Sequence, residues 1–121
     1  MEYQAFFLED TAILGQVRHF RIVKLAEESP AAILRGEDGA EFLLGDMRVL
    51  ASCGELGLTA AEQAALGCAE ADVVAFCRVR IPQEAPQEAG FDTRRLILLA
   101  PASGRAVEAE RPGWPLLSLK R

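Results

Sequence analysis

From Ala71 to Ile81 the side chains divide cleanly between two faces of an extended backbone. Val73, Ala75, Cys77, Val79 and Ile81 share one, and Val74, Phe76, Arg78 and Arg80 share the other. Both faces begin apolar and only the second becomes charged, so this strand starts inside a core and ends in solvent. A strand apolar on both sides needs partners on its edges and cover on its faces. His19-Phe20-Arg21-Ile22-Val23-Lys24-Leu25 supplies a second candidate strand, alternating polar His19 and Arg21 with apolar Phe20 and Ile22. Shorter runs follow at Ala31–Leu34, Glu41–Leu44 and Met47–Leu50, separated by Gly36-Glu37-Asp38-Gly39 and Gly45-Asp46, which have the residues of tight turns. These runs predict an antiparallel meander.

One helix is signalled. Thr59-Ala60-Ala61-Glu62 is a capping box, in which hydroxyl and carboxylate each take an orphan amide. Leu58, Ala61, Ala65 and Leu66 recur at helical spacing, and Gly67 suits the left-handed position that ends a helix. Pro82 to Gly90, with two prolines and two glutamates, reads as a surface loop. Leu96-Ile97-Leu98-Leu99-Ala100, a turn at Pro101-Ala102-Ser103-Gly104, and Arg105 to Glu110 make a β-hairpin. Leu96 to Leu99 is apolar on both faces, either because it is central to a closed sheet or because another chain covers its second face. The expected fold is all-β: a small closed barrel or two packed antiparallel sheets with one short helix, formed as a single domain over residues 1–121.

Half of the residues are hydrophobic and 26% are charged, a balance that folds. Thirteen Lys and Arg against eighteen Asp and Glu leave a net charge of −5, a field that repels phosphate backbones and attracts a cationic protein surface. Direct nucleic-acid binding is therefore not expected. The N-terminus lacks a secretory pattern, and no apolar run approaches the roughly 18 to 20 residues that span a bilayer. Cys53, Cys68 and Cys77 are odd in number and without close pairs, which fits a reducing, cytoplasmic setting better than a disulfide framework.

Motifs for chemistry are sparse. His19, the sole histidine, stands beside Arg18 and Arg21 with no carboxylate within a residue or two, as in a solvated strand residue more than in a general base. Cys77 shares its face with Val79 and Ile81, where a thiol acts as a small hydrophobe. Gly36, Gly39 and Gly45 open no phosphate-binding helix. No catalytic, metal or cofactor site is expected, and no small-molecule substrate.

As an ordered whole, the chain resembles the flagellar assembly factor FliW family, most clearly from about Leu43 onward. Glu55 to Gly67 followed by Asp72 to Pro82 looks like that family's short acidic helix leading into a long apolar strand ending in Pro. Leu96-Ile97-Leu98-Leu99 with Gly104-Arg105-Ala106-Val107 is similar to its penultimate hairpin. The family's Asn-Leu-x-Ala-Pro segment is replaced here by Asp92-Thr93-Arg94-Arg95-Leu96, and its Asp-Pro by Gly45-Asp46. The resemblance implies a compact barrel-like fold, no catalytic activity, and two protein partners: flagellin, and the basic translational regulator CsrA that FliW proteins antagonise. The alternative is a divergent FliW-like structural or assembly subunit with another protein partner.

For a protein-binding surface the candidates are Glu108, Glu110 and Trp114. Alternation places both glutamates on one strand face, and Trp114, flanked by prolines, is either an interface anchor or a residue that closes one end of a barrel.

Overall fold

The computed structural model describes residues 2–50, 56–81, 83–84, 89–113 and, for the backbone, 116–118. Trp114 and Cys53 lie outside the described residues. Among the described residues eight strands follow in chain order: β1 (Glu2–Phe7), β2 (His19–Val23), β3 (Ala31–Gly36), β4 (Glu41–Asp46), β5 (Val74–Arg80), β6 (Gly90–Ala100), β7 (Arg105–Glu110) and β8 (Leu116–Ser118). Two short helices, α1 (Met47–Leu50) and α2 (Ala60–Leu66), and a 3₁₀ turn at Glu70–Asp72 lie between β4 and β5. The sheet order is β5-β4-β3-β2-β1-β7-β6, and β6 pairs back onto β5, so seven strands close a barrel with β8 added along the start of β6. All described pairings are antiparallel except β1 with β7, where Phe6 and Phe7 run beside Arg105 and Ala106. Of the two expected architectures, the closed barrel is the one formed.

Period-two alternation fills the interior. Phe7, Phe20, Ile22, Leu34, Leu44, Phe76, Ile97 and Leu99 point inward and are buried together, with Phe7 stacked on Phe20 at a centroid distance of 4.4 Å. The loop between β1 and β2 adds Ile13 and Leu14 to this cluster. The opposite phase of β5, β6 and β7 forms a second buried layer on the outside: Ala75, Cys77, Leu96, Leu98 and Ala109 pack with Met47 and Leu66. Both faces of Leu96 to Leu99 are thus covered by this chain itself, one by the barrel interior and one by the helical layer.

The capping box forms as predicted: the Glu62 amide donates to Thr59 Oγ1 at 3.0 Å and the Thr59 amide to Glu62 Oε1 at 2.9 Å. Gly67 takes φ 71° and its amide reaches the Gln63 carbonyl. Leu66 is buried, whereas Ala61 is exposed.

Three local readings change. Met47–Leu50 is a helical turn, not a strand, because Asp46 Oδ1 accepts the Arg48 amide at 2.9 Å and turns the chain at the end of β4. Gly45 and Asp46 lie within β4, not in a turn; a Cβ on Gly45 would collide with Phe91, Leu50 and the Cys77 sulfur, so the glycine is there for close approach. β6 begins at Gly90, six residues before the apolar run that marked it.

Candidate functional site

The end of the barrel where β5 and β7 finish and β6 begins is built from charged side chains, and a register break puts them there. Cys77 pairs with Leu96, yet the next residue, Arg78, pairs with Asp92, so Thr93, Arg94 and Arg95 bulge out of the β5–β6 ladder. A bulge bends its strand and re-aims side chains. Here Thr93 is buried while Arg94 and Arg95 are exposed. Arg78 and Arg80 arrive on the inward phase of β5 as it leaves the core, and Arg95 faces Glu110 across the β6–β7 ladder. The result is an open groove of about 640 Å³ walled by these groups with Asp92 and Glu110.

Asp92 is held by Arg94, whose Nε donates to Oδ1 at 2.9 Å, and this hydrogen bond keeps its carboxyl below the ordinary value. Burial, and then the charge of Arg95, lower the Arg78 guanidinium. Arg78 also lies over the Phe42 ring, 5.7 Å from its centroid. Among the described residues, Arg78, Arg80 and Arg95 form no ion pair within 4 Å.

Glu108 and Glu110 do share the inward phase of β7, but their settings differ. Glu108 is half-buried and its carboxylate accepts the amides of Ala12 at 2.8 Å and Ile13 at 3.3 Å, tying the β1–β2 loop across this mouth. Glu110 is exposed. The four arginines were not among the sequence candidates. Their signal was the pair Arg78 and Arg80 at strand spacing and the polar Asp92-Thr93-Arg94-Arg95 directly before an apolar run.

The opposite end holds the other polar feature that sequence did not single out. Lys24 Nζ donates to Asp46 Oδ2 at 2.5 Å and to the Glu27 carbonyl at 2.7 Å, and both side chains are fully buried. His19 is exposed on β2 beside Phe6, and Cys77 is buried under the helical layer, its thiol pushed up to about 12 chiefly by burial. Among the described residues no three His, Cys, Asp or Glu side chains gather as metal ligands, and no helix is long and apolar enough to cross a membrane.

These features define a class: a small closed β-barrel with an outer helical layer, a buried ion pair at one end and an arginine-rich mouth at the other. No family model matches the chain, and no curated protein matches it by sequence. A solved structure does match, the flagellar assembly factor FliW, with a TM-score of 0.75 and 14% identity over 95% of this chain and 82% of that one. The chain has a FliW-like fold, as its element order implied.

Proposed function

We propose that this chain is a FliW-like assembly factor that acts by binding protein, not by catalysis, in the cytoplasm, as one domain. The observation that carries the reading is the agreement of the whole closed barrel with FliW across 95% of the chain. By the sequence's resemblance to the FliW family the proposed partners are flagellin and CsrA, and the surface proposed for them contains Glu108, Glu110 and Trp114. Isothermal titration of the protein with flagellin and, separately, with CsrA tests it: saturable heat with either supports the reading, and none with both removes it. Because Glu108 also holds the β1–β2 loop, the clean probe of the surface is Glu110→Lys, expected to slow association with a cationic partner and flatten its salt dependence.

The bulge favours a second reading. It falls on Asp92 to Leu96, where the resembling family has a different segment, so this mouth has its own chemistry. A FliW-like subunit serving another protein partner fits that observation, and reproducible co-purification with one identified protein, alongside silent titrations with flagellin and CsrA, would select it.

A further inference from the structure

The net charge of −5 directs attention to cationic partners, but the barrel mouth has the opposite sign. Four guanidiniums, from Arg78, Arg80, Arg94 and Arg95, face two carboxylates, those of Asp92 and Glu110. Only Arg94 spends its charge on an internal ion pair among the described residues, with Asp92 at 2.9 Å. Burial, and then the like charge of Arg95, disfavours the charged form of Arg78. An anion brought into the groove would offset the repulsion between Arg78 and Arg95.

We propose that this mouth binds an acidic peptide segment of a protein partner, its carboxylates taken by the guanidinium forks of Arg78, Arg80 and Arg95. Planar guanidinium groups bind carboxylates through paired hydrogen bonds, which makes arginine the suited residue. Spacing favours a peptide over a compact anion. Arg78 and Arg80 are two apart on a strand, about 7 Å along it, and an extended peptide repeats its same-side side chains at the same interval. Most of the lining comes from strands, with Asp92 opposite Arg78 and Glu110 opposite Arg95 in the ladders, so positive charge is distributed along the groove instead of focused on one point. The groove, about 640 Å³, accommodates several residues of extended chain.

The inference stands whichever protein the barrel serves: titrations with flagellin or CsrA and titration with a peptide fail separately. The test is fluorescence anisotropy of labelled hexaglutamate with the intact chain, at rising salt and in competition with inorganic phosphate. Saturable binding that weakens with salt is expected, and Arg95→Gln should raise Kd on the order of tenfold. Arg80→Gln, at an exposed position that leaves the core untouched, should do the same with an unchanged melting temperature. No binding, or binding that neither substitution alters, overturns the proposal. Displacement by phosphate at concentrations where free glutamate does nothing would also overturn it, in favour of a compact-anion site.

Discussion

Lys24, just past the end of β2, and Asp46, on the inward phase of β4, close the apolar interior at the end away from the arginine mouth, and both are fully buried. A buried pair with both charges satisfied is close to neutral against an apolar replacement, but removing one partner strands the other. Lys24→Met should cost about 3 to 5 kcal/mol in urea unfolding, and Lys24→Met with Asp46→Leu should recover most of that loss. Neither strand pattern reveals the pair in sequence, because contact between residues 22 apart depends on which strands become neighbours. Cys77 gives a residue-scale prediction with a pH sign. Its thiol is raised from 9.0 to about 12 in the fold, so the unfolded chain releases its proton first and stability falls as pH rises through that window. Below pH 9 the effect is absent. Alkylation at pH 8 followed by mass mapping should leave Cys77 unmodified in the native protein and modify it after denaturation; native labelling would contradict the burial.

Among the elements, those whose signal is local were legible. The Thr59 capping box and Gly67 are defined by residues within one helix turn of each other, and β2 alternates because one of its faces is wet. What sequence could not supply was the third party to that cap. Arg111, from beyond β7, donates to Glu62 at 2.7 Å and to the Leu56 carbonyl at 2.9 Å, pinning α2 to the barrel. Burial pushes the Glu62 carboxyl up, but the hydrogen bonds from Arg111 and the Thr59 amide prevail and lower it below 4.5. A lowered carboxyl contributes stability above pH 4.5 that disappears as pH falls through the folded value. Arg111→Gln should therefore flatten the acid limb of the melting temperature against pH, while Thr59→Ala should cost about 1 kcal/mol near neutrality. The β6 bulge belongs with the illegible features: Thr93 to Arg95 interrupt a ladder whose partner register is set by the closed barrel, and the sequence there shows only a polar break before Leu96.

For the molecule as a whole, closure is the property that local pattern leaves open. The alternation of β5 and the two apolar faces of Leu96 to Leu99 fitted two packed sheets as well as a barrel, and the β1–β7 pairing, remote in sequence, together with β5–β6 decides between them. A closed barrel still has two ends to seal. Lys24 and Asp46 seal one, and the β1–β2 loop folds into the other, delivering Ile13 and Leu14 to the interior cluster while Glu108 accepts the Ala12 and Ile13 amides. This makes Glu108 the latch of the mouth that the arginines surround. Glu108→Ala should release the loop without opening the barrel, because it removes only the side chain and leaves the backbone pairing of Glu108 with Ile97 and the interior aromatic stack in place. Loss of a charged acceptor for two amides should cost about 1 to 3 kcal/mol. Hydrogen exchange read by NMR locates the effect: protection should fall at the amides of Ala12 and Ile13 and hold at Ile22, Leu34 and Leu98. If protection fell equally across those strands, the loop would be part of the cooperative core and not a separable plug.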